Sequence, residues 1–135
     1  MAGRKAEIER AGARLVFVGN GSPKFAASFA DREVPGCLVL TNPSLDVYRA
    51  LNLKRGVLAT LGPKSILAGA AATLRGRTQT AVQGDPWQQG GLVLMMPDGR
   101  LPFIQRNQSA GDRPDLRGAL ESLAAQALAV PAKQA

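Results

Sequence analysis

Reactive side chains are scarce in this chain of 135 residues, which carries one cysteine, Cys37, and no histidine. The commonest general base and the commonest metal ligand are therefore missing, and an internal disulfide is impossible. Ser–His–Asp machinery and Cys/His metal sites are excluded by inventory, and no cofactor or metal is expected. Cys37 opens the apolar stretch CLVLTN. A lone cysteine in such company is ordinarily a small core residue, because a reactive thiolate needs a helix N-terminus or a nearby base, and no basic residue adjoins it in sequence. The rival reading makes Cys37 the centre of a one-cysteine thiol redox enzyme. Met95–Met96 reads as core filling, since thioethers alone favour few metals.

Two further patterns could bind anions. GNGSP, Gly19 to Pro23, follows an apolar run and precedes a helical one, and free amides at a helix N-terminus attract phosphate. It lacks both the G-x-x-x-x-G-K-[ST] and the G-x-G-x-x-G spacing, so it reads as a plain strand-to-helix connection. The net charge is +7, and between Asp46 and Asp85 lie Arg49, Lys54, Arg55, Lys64, Arg75 and Arg77 with no acid among them. That run is either a solvated basic face or the contact of a non-enzymatic adaptor for an acidic protein or nucleic acid. Nucleic acid is the less favoured partner, because only Tyr48 stands near for base stacking.

The elements that must position these residues follow from periodicity. Arg4 to Ala11 reads as a short helix, with Glu7 and Glu9 facing Arg10 and Lys5, stopped by Gly12. ARLVFVGN has the length and β-branching of a buried parallel strand. The next helix is capped by Ser22, has Pro23 in its first turn, and turns Phe25, Phe29 and Ala26 inward. A second strand over Cys37–Asn42 leads to a helix begun by Asn42 or Ser44, with Leu45, Tyr48 and Leu51 on one side. A small-residue helix runs from near Pro63 to near Gly76. After the GDPWQQGG loop, LVLMM and LPFIQRN form a hairpin about the Asp98–Gly99 turn. The last helix, before a frayed tail at 131–135, carries Leu116, Leu120, Leu123 and Leu128. The order α-β-α-β-α-α-β-β-α describes one α/β domain over residues 1–130, with a mixed sheet and helices on both faces. No apolar run is long enough to span a membrane and no secretory signal precedes it, so a cytoplasmic protein is expected.

That layout is the layout of a thioredoxin fold, and three segments resemble the AhpC/TSA-type peroxiredoxin-like proteins, in the peroxiredoxin-like 2 branch. They are GARLVFVGNGSP (12–23), LTNPSLDVYRALNLKRG (40–56) and GDPWQQGGLVLMMPDGRLPFIQRNQSAGDRPDL (84–116). The resemblance implies a thiol redox or antioxidant protein with a three-layer α/β/α architecture. It sets Gly90–Gly91 in the loop that in a thioredoxin carries the cis-proline, with Gly91 at about the proline's place, and it matches Arg106 to an arginine on the last strand. Gly90, Gly91 and Arg106 are thus the candidate lining of the ancestral pocket.

The departure is as informative. Such proteins resemble one another in an N-terminal strand and a C-x-x-C or related motif at the head of the first helix; here a helix is already under way at Met1, and neither has a counterpart. Without that thiolate, peroxide reduction has no nucleophile. The natural start lies upstream, or the chain is truncated, or it is a descendant without the motif cysteines, kept for binding. In the last case a second copy or another partner must cover a bare sheet edge.

Overall fold

A computed structural model describes residues 1–56, 84–109 and 111–129. Its first helix, α1 (Lys5–Arg10), continues a 3-10 turn over Ala2–Arg4. Gly12, at φ +82°, ends it, and its amide reaches back to the Glu9 carbonyl at 2.9 Å. Of the two expected ion pairs, Lys5–Glu9 forms and Glu7 takes another partner than Arg10. Glu7 takes Arg4 at 2.6 Å and Glu9 takes Lys5 at 2.5 Å, while Arg10 donates to the Ala6 carbonyl instead. One turn of separation satisfies Glu7 and leaves Arg10 over the helix end, where free carbonyls attract a cation.

β1 (Val16–Gly19) and β2 (Leu38–Thr41) pair in parallel, Val16 opposite Leu38 and Gly19 opposite Thr41. Between them runs α2 (Pro23–Arg32), with Ser22 at its N-cap and Pro23 in the first turn, where a missing N–H costs nothing. The Ser22 side chain makes no capping bond; its carbonyl receives the Phe25 and Ala26 amides. The expected burial is only half realised. Phe17 and Phe29 meet edge to face at 5.9 Å, yet Phe25 and Phe29 stay partly open, and Val16, Val18, Leu38 and Leu40 leave the opposite face of the strand pair exposed.

α3 (Asp46–Ala50) begins after Leu45, which takes a left-handed backbone at φ 62°. The Asn42 side-chain oxygen caps it, accepting the Val47 amide at 3.0 Å, while Ser44 donates to Asp46. Tyr48 is the buried residue of this helix. Residues 57–83, including the small-residue helix expected near Pro63–Gly76 and the cations Lys64, Arg75 and Arg77, lie outside the described residues, as does the tail.

The hairpin forms as β3 (Gly91–Leu94) and β4 (Phe103–Arg106), antiparallel, with Gly91 opposite Arg106 and Leu94 opposite Phe103. Its strands are shorter than expected. Met95 and Met96 belong to the connection, where Gly99 turns at φ +85° and Met96 and Arg100 close the loop by a 2.9 Å bond. Met95 is therefore 68% exposed and not core filling. The last helix, α4 (Leu116–Ala129), packs on both hairpin strands through the buried Leu116 and Ala119. Leu128, expected on its inner face, is 88% exposed, because the helix outruns the hairpin beneath it.

The chain is thus a mixed α/β structure with one parallel and one antiparallel strand pair and a C-terminal helix. Among the described residues the two pairs are separate two-stranded sheets, where a single mixed sheet was expected. None of the described helices is long and apolar enough to cross a membrane.

Candidate functional site

Cys37 lies in the turn entering β2, its amide donating to the Val34 carbonyl at 3.0 Å after the reversal at Gly36, φ +77°. The thiol is half-buried. Sequence neighbours gave it no base, but the fold brings Lys5 of α1 within electrostatic reach. That ammonium is already committed to Glu9, which is the main reason its pKa is raised. Contact between the first helix and a distant turn has no sequence signal.

Gly90, Gly91 and Arg106 do come together, at the open end of the hairpin. The Asn107 amide donates to the Gly90 carbonyl at 3.0 Å, and Gly91 pairs with Arg106 across the strands. A Cβ on Gly91 would fall 2.4 Å from the Gln105 carbonyl oxygen and 3.1 Å from Leu53 Cδ2. The close approach that demands glycine here is thus made by the chain itself. At Gly90 the nearest atom would stand 3.8 Å away. Arg106 faces neither a thiol nor open solvent alone: its Nε donates to the Leu51 carbonyl at 2.6 Å, closing the C-terminus of α3.

Several polar contacts hold this end in place. Gln105 bridges to the loop before α4, donating to Arg113 O at 2.8 Å and accepting the Asp115 amide at 2.6 Å. The segment after α3 runs beside the loop that enters β3: Gln89 N–H donates to Lys54 O at 2.8 Å, Gly56 N–H to Trp87 O at 3.0 Å, and Arg55 bridges to Gln88. The side chain of Gln89 is buried there.

The basic run is partly neutralised. Arg49 pairs with Asp46 and Arg55 with Asp85, and Lys54 donates to Gln108. Asp85 is held below the usual carboxylate range by Arg55 and then by the Trp87 amide; Asp46 is lowered first by Ser44 and then by Arg49. Among the described residues no three His, Cys, Asp or Glu side chains gather to hold a metal. A cleft of about 420 Å³ opens between α2 and the parallel strands, lined by Phe17, Phe25, Phe29 and Val39 with Arg32 and Thr41. GNGSP forms its floor at Gly19–Gly21, where the Thr41 hydroxyl caps the Gly21 carbonyl.

Comparison with known proteins agrees with this layout. The family model described as AhpC/TSA antioxidant enzyme matches residues 1–109. The chain is 27% identical over 134 residues to the thioredoxin-like protein AAED1, chloroplastic, of Arabidopsis thaliana, covering 93% of this chain and 54% of that protein. It is 26% identical over 129 residues to peroxiredoxin-like 2C of Homo sapiens, covering 88% and 57% respectively. The Bos taurus protein of the same name is 26% identical over 132 residues, covering 90% of this chain and 58% of its own length. The chain therefore spans little more than half of these relatives. No solved structure matches it. Matched by its family model over most of its length, the chain belongs to the AhpC/TSA antioxidant enzyme family.

Proposed function

We propose that this polypeptide is a thioredoxin-like, three-layer module of the thiol redox family that has no peroxidase activity of its own. In thiol peroxidases a thiolate attacks the peroxide O–O bond, leaving a sulfenic acid and an alcohol or water, and a second thiol then forms a disulfide with loss of water. The observation that carries the reading is the place of Cys37. It is the chain's one thiol, and it sits in the turn entering β2 and not in the first turn of any described helix, the position whose free amides favour a thiolate. Gly90, Gly91 and Arg106 serve as the wall of the pocket such chemistry would occupy.

The test is consumption of hydrogen peroxide or an organic hydroperoxide with dithiothreitol as reductant, comparing the chain with Cys37→Ser. Equal background rates are expected. Multiple turnovers lost on Cys37→Ser would establish the one-cysteine enzyme instead. The adaptor reading is the weaker one, because Arg49 and Arg55 are already engaged by acids.

Separation of the two sheets favours a strand-pairing partner. Asn42 N–H donates to Gly19 O at 2.7 Å, so Gly19 faces β2 and, by alternation, Val16 and Val18 direct their backbone groups away from it. The same alternation turns Gly91 and Val93 away from β4. Among the described residues no third strand joins either pair, although the Val18 carbonyl takes the Tyr48 hydroxyl; open edges of this kind invite a further strand, and a second copy is the simplest source. Sedimentation at rising concentration tests it; a monomer throughout removes the second copy.

A further inference from the structure

The GNGSP loop lacks the spacing of a phosphate-binding loop, yet it contains chemistry of another kind. Asn20 is followed by glycine, the one residue with no Cβ to hinder closure of a five-membered ring between an asparagine side chain and the next backbone nitrogen. Three contacts bear on this pair. Asn20 Nδ2 donates to the Asp85 carbonyl at 3.0 Å. Gly84, at φ +67°, lies so close that a Cβ on it would fall 2.4 Å from Asn20 Oδ1 and 2.5 Å from the Asn20 carbonyl oxygen. The Gly21 amide donates to no backbone carbonyl outside the ladder and helix bonds among the described residues.

We propose that Asn20–Gly21 is a deamidation site kept closed by the loop at Gly84–Asp85. The Gly21 nitrogen loses its proton to water and attacks Asn20 Cγ. The new C–N bond closes a succinimide, and the Cγ–Nδ2 bond breaks, Nδ2 leaving as ammonia with a proton taken from water. Addition of one water then opens the ring. Cleavage at Cγ gives aspartate at position 20, and cleavage at the main-chain carbonyl gives an isoaspartyl linkage. No electrons change hands, and water is the only co-reactant.

In the folded chain the amide cannot swing its Cγ onto Gly21, because Nδ2 is tied to Asp85 and Oδ1 is packed against Gly84. Opening of that loop frees the rotation. The change is one-way: a carboxylate at position 20 has no donor for the Asp85 carbonyl, so two acceptors face each other and a contact joining the end of β1 to the loop before β3 is lost. Deamidation thus loosens the parallel pair from the hairpin half.

The test incubates the protein at mildly alkaline pH in native buffer and in urea, with Gly84→Ala and Gly21→Ala alongside. Tryptic mapping and enzymatic methylation of isoaspartate read the product. Conversion at Asn20 should be slow in native buffer, severalfold faster in urea and in Gly84→Ala, and largely lost in unfolded Gly21→Ala. If Gly84→Ala does not fold, the native and urea rates of the unaltered chain still decide. Equal rates in the two solvents, or no product at Asn20 in the unfolded chain, would overturn the proposal.

Discussion

The Tyr48 hydroxyl donates to the Val18 carbonyl at 2.9 Å, joining α3 to the outer edge of β1. Val18 directs its backbone away from β2, so among the described residues this carbonyl has no ladder partner, and a buried side chain from a helix thirty residues later supplies a donor. From the same helix end, Leu53 packs on Gly91 and Leu51 receives Arg106. Tyr48 of α3 thus reaches the parallel pair, and Leu51 and Leu53, just beyond the helix, reach the hairpin.

Replacing Tyr48 by Phe keeps the ring in its buried place and removes the bond to Val18. Such a bond contributes about 1 kcal/mol, and because Val18 is itself partly exposed, water can replace the hydroxyl. A loss of about 1 kcal/mol or less in urea unfolding is expected, with no change in the denaturant slope. A loss of several kcal/mol would mean that the hydroxyl organises more than one edge carbonyl.

Tyr48 is the chain's one tyrosine, so its ionisation can be followed without overlap from another phenol. Burial raises its pKa above the ordinary value of 10.0. The neutral phenol is the form favoured by the fold. Its contribution is fully present below the unfolded pKa and is lost as pH rises through the raised folded value. Ultraviolet titration should therefore show a midpoint above that of free tyrosine, moving down to it in urea.

Gly91→Ala and Gly90→Ala form an internal comparison. A methyl group at 91 meets the Gln105 backbone carbonyl and Leu53, and one of the strands must shift; a methyl at 90 meets nothing closer than Asn107. Overpacking of the first kind costs about 1–3 kcal/mol. Thermal unfolding should separate the two variants clearly. Equal stability would mean that the hairpin's open end yields freely, and would leave close approach of a substrate as the reason for glycine at 91.

Much of this molecule was legible where local rules suffice. Gly12 ends a helix, Pro23 starts one, and Asp98–Gly99 sits in the connection of a hairpin, all from backbone freedom or its absence. Asn42 was readable as a cap because its side chain competes for a nearby amide. Burial was less legible. The Val16–Gly19 run reads as a strand covered on both faces only if something covers it, and periodicity cannot say that Val16 and Val18 stand open. Leu128 and Met95 failed likewise, since each lies beyond the reach of the element it was meant to pack on. At the candidate site, Gly91 and Arg106 were named together by the resemblance and the hairpin sets them opposite each other, whereas Leu51, Leu53 and Lys5 enter from distant segments with no pattern to announce them.

The Asp85 carboxylate gives the fold an acid limit. It accepts Arg55 and the Trp87 amide, at 2.9 Å for the latter, while the backbone carbonyl of the same residue holds Asn20. Those donors lower its pKa, Arg55 first. For a carboxylate with a depressed folded value the stabilisation is present above the unfolded pKa of about 3.9 and is lost as pH falls through the folded one. Stability should thus decline on acidification from about pH 4 downward, and the decline should be shallower in Asp85→Asn, which has no charge to lose. Because the side chain of Arg55 is largely exposed, the pair is screened by salt. Added sodium chloride should reduce the difference between the unaltered chain and Asp85→Asn at neutral pH. A difference that is the same at pH 3 and pH 7 would assign the loop's order to the uncharged Asn20 and Trp87 contacts, which either side chain can keep.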